Sequence, residues 1–130
     1  MIKAGTAQGS AYAAMMVTGR HGVRMQWDFT HDAAGLAGKV TAASSRWLRL
    51  TRSGDRVSGN DSADGTHWAR VGTATLAGLP RVTQAGLFAA SPDYLVTTTS
   101  LGTGRGTGGP SLATSVFDQV SRPGTWPAAQ

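Results

Sequence analysis

The chain contains no cysteine and no glutamate. The first absence excludes disulfide bridges and thiolate metal sites. The second removes a strong helix former, because all seven acidic residues are aspartates, while Gly, Thr, Val and Ser, which favour strands and turns, are abundant. The composition therefore predicts an all-β protein.

Long apolar segments are also missing. No run approaches the roughly 20 residues of a membrane-spanning helix, so we expect no membrane span in this chain. The first residues, MIKAGTAQGSAYAAMMV, lack the continuous apolar stretch of a signal peptide. With 130 residues, 40% of them hydrophobic, the chain is long enough to bury one core. We therefore predict a single domain over residues 1–130.

The net charge of +5 comes from ten arginines and only two lysines. The arginines are spread along the chain, often at alternate positions of candidate strands, whereas a nucleic-acid interface normally clusters its basic residues. We expect a solvated basic surface and no nucleic-acid partner.

Short strands separated by turn signals dominate the remaining pattern. In residues 22–30, Val23, Met25 and Trp27 alternate with polar residues, which is typical of a strand with one buried face. Similar patterns predict strands over 10–19, 22–30, 47–52, 56–60, 66–75, 81–91 and 111–121. We expect a weakly structured segment at 31–44 and a flexible glycine-rich loop at 101–110. This spacing favours an antiparallel β-sandwich.

The predicted core follows from the same alternation. Its residues are Val23, Met25, Trp27, Leu48, Leu50, Val57, Trp68, Val71, Leu87 and Phe117.

Residues 62–68, SADGTHW, combine a turn signature with an acid, a histidine and a tryptophan. Asp64 can accept backbone hydrogen bonds and Gly65 can adopt positive φ, so both are predicted to form a tight turn. Trp68 is predicted to plug one end of the core. Asp61 is predicted to be a turn residue and His67 a surface residue, and neither is expected to have a buried partner.

The segments WLRLTRSGDRVSGNDSADGTHWARVGTATLAGLP, QAGLFAAS and ATSVFDQVS resemble the second half of a concanavalin A-like (lectin/glucanase, laminin G-like) jelly-roll module. They are similar to the bacterial regulation-of-enolase-protein-like domains. GSAYAAMMVTGRHGVRMQWDFTHDAAG is similar to the middle of the same module, as it occurs in actinobacterial proteins that include ABC transporter permeases.

This resemblance implies a non-catalytic, extracytoplasmic jelly roll next to glycan-active or membrane components. Modules of this kind begin with strands that have no counterpart here. We therefore expect a sandwich that lacks its first strands, either because the chain is truncated or because a partner or a second copy completes it, since an unpaired apolar edge favours association.

Catalysis is not expected. The glucanases of this superfamily use a pair of carboxylates, commonly glutamates, as acid and nucleophile. This chain has no glutamate and no two aspartates at i, i+2 spacing on a candidate strand. The letters GRGTGG match a dinucleotide-binding pattern, but a proline and a predicted strand follow them where a helix is required.

A cation site is one of two interpretations of the segment WDFTHD. Asp28, His31 and Asp32 lie close together in sequence and offer ligands for calcium, and no other cofactor is expected. The other interpretation is that they are ordinary polar residues at the end of a strand.

A glycan site is the second candidate. Sugar-binding surfaces combine an aromatic platform with planar polar side chains, and strand 22–30 and the following hairpin offer both. The candidate residues are Arg24, Gln26, Asp28 and Arg49, with Trp47 or Trp126 as the platform. The alternative is that these side chains form the solvated face of an antiparallel sheet.

These observations favour a non-catalytic module that binds a glycan, a cell-wall polymer or a partner protein. Two alternatives stay open. The first is a structural accessory domain or fragment without a ligand, and the second is a remnant of a glycoside hydrolase-like protein.

Overall fold

A computed structural model describes residues 1–19, 21–28, 32–38 and 46–125 of the chain. The regular elements in these residues are all β-strands, and every strand pair is antiparallel. The protein is therefore all-β, as its composition predicts. The chain divides into two compact units, Met1–Leu87 and Phe88–Gln130. The prediction of one domain over residues 1–130 stays a prediction.

The first unit contains two antiparallel sheets. The larger sheet consists of β1 (Ile2–Lys3), β2 (Tyr12–Thr18), β3 (Gly22–Asp28), β4 (Asp32–Ala37) and β8 (Gln84–Ala85). Its strand order is β4-β3-β2-β1-β8. The smaller sheet consists of β5 (Trp47–Ser53), β6 (Arg56–Ser62) and β7 (Ala69–Thr75), in the order β5-β6-β7.

The two sheets of this unit pack face to face through two methionines and two glycines. Met15 on β2 lies opposite Met25 on β3, and Gly59 on β6 lies opposite Gly72 on β7. A Cβ atom at Gly59 would collide with Met15 Sδ and lie 2.9 Å from Met25 Sδ. The methionine sulfurs therefore occupy the space that a side chain on β6 would need, and the two sheets form a β-sandwich.

The core around this contact is built from small and aliphatic side chains. Its buried residues are Ala13, Met15, Val23, Met25, Val57, Ala74, Leu76 and Leu79. Of the predicted core, Val23, Met25 and Val57 are fully buried. Partly buried side chains pack against this cluster at Trp27, Leu48, Leu50 and Val71.

Three core predictions were wrong. Leu87 and Phe117 are 59% and 48% exposed, because neither lies in a strand that faces the sandwich core. Trp68 is only partly buried and does not belong to the core cluster, so it does not plug the core.

The segment after β7 is held by the β5–β6 hairpin. The guanidinium of Arg52 donates to the backbone oxygens of Leu79, Pro80 and Arg81, and Asp55 accepts from the backbone N–H of Gly78. The predicted strand over 81–91 was therefore largely wrong. Within this segment only β8 pairs with another strand, β1. The backbone carbonyls that precede β8 accept hydrogen bonds from Arg52 instead.

Strand β4 lies in the segment that was predicted to be weakly structured. It pairs with β3, and the register shifts between Met25 and Trp27. Alanine and glycine, which make up much of β4, carry no alternation that a sequence pattern could detect. Its strand conformation comes from the pairing.

The second unit contains one hairpin, formed by β9 (Tyr94–Ser100) and β10 (Thr103–Gly109). Leu101 and Gly102 connect them with φ values of 50° and 80°, as a two-residue hairpin turn requires. The prediction of a flexible loop at 101–110 was wrong for β10, and β9 was missed. The predicted strand at 111–121 was also wrong, because no described strand pairs with it.

None of the described residues belongs to a helix with the length and apolar character to cross a bilayer.

Replacing Gly59 by alanine tests the contact between the sheets. We expect Gly59→Ala to lower the free energy of unfolding by about 1 to 3 kcal/mol, because the new methyl group must displace two buried methionine side chains. Gly86→Ala is the matched control, since a Cβ at Gly86 meets no atom within 4 Å. Urea denaturation measures both variants, and equal stabilities would contradict the proposed packing.

Candidate functional site

The outward side of the smaller sheet carries a continuous set of polar and aromatic side chains. Successive side chains on a strand point to opposite faces. Leu48, Leu50 and Val57 pack in or against the core, so the residues that alternate with them on β5 and β6 point outward. We call this surface the β5–β7 outer face. It consists of Trp47, Arg49 and Thr51 on β5, Arg56, Ser58 and Asn60 on β6, and Arg70 and Thr73 on β7, where the register shift beside Gly59 and Asn60 brings these two residues to the same face.

The register aligns three of these residues in one row across the sheet. Asn60 on the central strand lies opposite Arg49 on one side and Arg70 on the other. Both arginines are exposed. Cross-strand partners share a face, so two arginines flank one asparagine on this surface. In the next row, the Ser58 and Thr73 hydroxyls lie 3.1 Å apart within hydrogen-bond distance.

The turn at 62–68 borders this face and is held by two short polar side chains. Asp64 Oδ1 accepts hydrogen bonds from the backbone N–H groups of Thr66 and His67, each at 2.8 Å. Ser62 Oγ accepts from the backbone N–H of Gly65 at 2.9 Å. Gly65 has a φ of +77°, a conformation that side-chain-bearing residues rarely adopt. The positions of Asp64 and Gly65 thus have a geometric explanation.

Both tryptophans next to the turn contact it. The Trp68 Nε1–H donates to the Gly65 carbonyl at 3.1 Å. The guanidinium carbon of Arg49 lies 4.0 Å from the centre of the Trp68 ring. The Trp47 ring lies over Gly65, where a Cβ atom would be 2.9 Å from Trp47 Cε2. Trp68 therefore orients Arg49, while Trp47 keeps 36% of its surface exposed.

Asp61 is buried and paired, contrary to the sequence prediction. It is 4% exposed, and its Oδ2 accepts from Arg46 Nη2 at 2.5 Å. The Arg46 Nε is buried without a hydrogen-bond partner among the described residues. The prediction was wrong because Asp61 lies in β6 on the inner face, opposite Leu48, and not in a turn.

Asp64 and His67 form an exposed ion pair, with 2.7 Å between Asp64 Oδ2 and His67 Nδ1. The hydrogen bonds from the backbone and ring of His67 and from the Thr66 backbone lower the pKa of Asp64 well below its usual range. The hydrogen bond and charge of Asp64 raise the pKa of His67. His67 lies at the surface, as the sequence predicts, but it has a partner.

The predicted glycan residues do not converge on one surface. Trp47 and Arg49 lie on the β5–β7 outer face. Arg24 and Gln26 alternate on β3 with Val23, Met25 and Trp27, which pack in or against the core, so they face outward from the other sheet, on the opposite side of the sandwich. Trp126 and the Asp28 side chain lie outside the described residues.

Sequence reasoning missed Asn60 and Arg70. The signal that identifies them is the strand register, which a single sequence does not contain.

The candidate cation site also lies outside the described part of the chain, because it depends on His31 and on the side chains of Asp28 and Asp32. Within the described residues, no three histidine, aspartate or other metal-binding side chains form a group that could hold an ion.

No protein-family model, curated protein or solved structure matches the chain. The resemblance to concanavalin A-like modules therefore stays a prediction, while the β-sandwich architecture is observed directly.

Removing the buried carboxylate of Asp61 tests the inner-face ion pair. We expect Asp61→Ala to destabilise the protein by on the order of 3 kcal/mol, because Arg46 is left with a largely buried, uncompensated charge. Asp93→Ala, at an exposed aspartate, is the control. The double variant Arg46→Leu/Asp61→Leu should recover most of the loss, since it removes both charges. A loss below about 1 kcal/mol for Asp61→Ala would contradict this assignment.

Titration of His67 by NMR tests the turn. We expect its pKa above the ordinary value of about 6.5, and we expect Asp64→Asn to lower it, whereas Asp93→Asn should leave it unchanged. Because the pKa of His67 is higher in the folded protein, the interaction of protonated His67 with Asp64 stabilises the fold fully below about pH 6.5. This contribution is lost as the pH rises through the raised pKa. The lowered Asp64 pKa contributes above about pH 3.9, and this stability falls as pH drops toward the lowered value.

The melting temperatures of wild type and His67→Ala should therefore differ most near pH 5 and converge at alkaline pH. A difference that persists unchanged at pH 9 would show that the ion pair is not its cause.

Proposed function

We propose that the first unit is a non-catalytic glycan-binding module and that its site is the β5–β7 outer face. The observation that carries this proposal is the placement of an exposed indole, Trp47, beside the row of Arg49, Asn60 and Arg70. The resemblance of the sequence to lectin-like modules supports the same function.

The chemistry of a sugar ring suits this arrangement. One side of a pyranose presents C–H groups that pack against the flat, apolar surface of an indole. Its hydroxyls need planar donors and acceptors at the edge of that ring. A guanidinium offers donors only, whereas an amide offers both a donor and an acceptor. Arg49 and Asn60 supply both types one strand apart.

The surface is also prepared before a ligand arrives. The Trp68 ring holds Arg49, and the turn holds the Trp47 ring on Gly65. Side chains that are already fixed lose less conformational entropy on binding, so more of the interaction energy appears as affinity. The outer face extends along three paired strands, which suits a polymer chain better than a single small molecule.

Trp47→Ala tests the platform. Affinity electrophoresis against a panel of soluble neutral and acidic polysaccharides should detect binding by the wild-type protein. We expect the alanine variant to bind at least about 10-fold more weakly, which corresponds to about 1.4 kcal/mol, and Trp47→Phe to retain most of the affinity. Tyr94→Ala removes an exposed aromatic ring from the other unit and is the control.

Thermal melts should accompany this assay, because Trp47 also packs on the turn. A folded wild-type protein that binds nothing in the panel would favour the accessory-domain alternative. Binding that is unchanged in a folded Trp47→Ala protein would place the site elsewhere.

A further inference from the structure

The β5–β7 outer face carries positive charge that no acidic side chain on it compensates. Arg49, Arg56 and Arg70 point outward from it. The only carboxylate within β5, β6 and β7 is Asp61, which points inward and pairs with Arg46. Among the described residues, none of the three outward arginines has a carboxylate partner. The face therefore attracts anions.

The geometry of the central row concentrates this charge. Neighbouring strands lie about 4.8 Å apart, so the Cα atoms of Arg49 and Arg70 are separated by about 10 Å. Two extended arginine side chains span this distance, and both can reach a group held above Asn60. Arg56 lies on the same strand as Asn60 and four residues away, which extends the positive surface by about 13 Å along the strand.

Arg49 is oriented for an anion by the ring beneath it. Its guanidinium lies over Trp68, and Trp68 is fixed by its hydrogen bond to Gly65. This contact is made with an aromatic ring and not with a hydrogen-bond acceptor, so N–H groups of the guanidinium are available to an anion. These groups form the paired hydrogen bonds that carboxylate, sulfate and phosphate oxygens accept.

From these observations we infer that the face binds a polyanionic glycan, a polysaccharide whose sugar units carry carboxylate, sulfate or phosphate groups. Arg49 and Arg70 hold one anionic group above Asn60, and Trp47 packs against an adjacent sugar ring. This inference rests on the proposed glycan-binding function and adds the chemical class of the ligand.

A nucleic acid fits the face less well. Duplex DNA carries one charge per about 1.7 Å of its axis, and its binding proteins neutralise many phosphates at once. Here three arginines are spread over more than 10 Å, among hydroxyl and amide side chains. The face therefore offers fewer cationic groups than a duplex presents phosphates over the same length.

The test compares polymers that share a backbone and differ in charge. Polygalacturonate and its methyl-esterified form are the carboxylate pair, and dextran sulfate and dextran are the sulfate pair. We expect at least 10-fold tighter binding to the charged member of one pair or both, with affinity that falls as salt is raised. The pair that responds identifies the anionic group.

Charge variants then assign the effect to the row. Arg70→Gln should reduce binding to the charged polymer about 10-fold and weaken binding to the neutral one much less, while Arg70→Lys should retain much of the affinity for the charged polymer. Arg105→Gln removes an exposed arginine from β10 in the other unit and should bind as wild type. Arg49→Gln should act like Arg70→Gln.

Two further polymers separate sugar recognition from charge alone. Poly-L-glutamate and single-stranded DNA should bind more weakly than the charged glycan at equal salt. Equal or tighter binding to either would overturn the inference in favour of a general or nucleic-acid polyanion site. Equal affinity for charged and neutral glycans would overturn the inference and leave the proposed function standing. Failure to bind any glycan would overturn both.

Discussion

The contact between two methionine sulfurs and two backbone glycines determines how this sandwich is built. Met15 and Met25 stand opposite each other in one sheet and reach Gly59 in the other, where any side chain would collide with them. Methionine is flexible and polarisable, so it can fill a gap that a branched residue could not enter. The other buried side chains around it are small or aliphatic.

That inner contact also fixes what the outer face presents. Side chains along β5 and β6 alternate between the two faces of the sheet. Because Val57 and Gly59 face the core, Ser58 and Asn60 face outward. On the same inner face, Asp61 of β6 forms a buried ion pair with Arg46, the residue directly before β5. Trp47 follows Arg46 directly. A buried electrostatic contact therefore fixes the point from which the exposed indole projects.

The sequence predicts those parts of the fold that depend on local pattern. Strand β3 is found because its apolar residues alternate, and Gly65 is found because tight turns need positive φ. Strands β4 and β10 are missed because they consist largely of alanine, glycine and threonine, whose strand conformation depends on a partner. Asp61 is misjudged for the same reason, since nothing in its neighbourhood reveals Arg46, 15 residues earlier. The candidate site is predictable only in part. Trp47 and Arg49 can be chosen from the sequence as residue types that bind sugars, whereas Asn60 and Arg70 join them only through the strand register.

Geometry and chemistry are not alternatives at the turn of residues 62–68. Asp64 satisfies two backbone N–H groups, which lets Gly65 turn the chain and brings Trp68 back beside β5. Trp68 is too exposed to act as a core residue, and its ring is covered by the Arg49 guanidinium, so it is poorly placed to be a sugar platform. Its position makes sense as a support that holds one arginine in a fixed orientation. Because the same turn also carries the Trp47 ring on Gly65, a substitution there should disturb the ring and the guanidinium together. The turn thus links the backbone conformation of a few residues to the arrangement of the whole outer face.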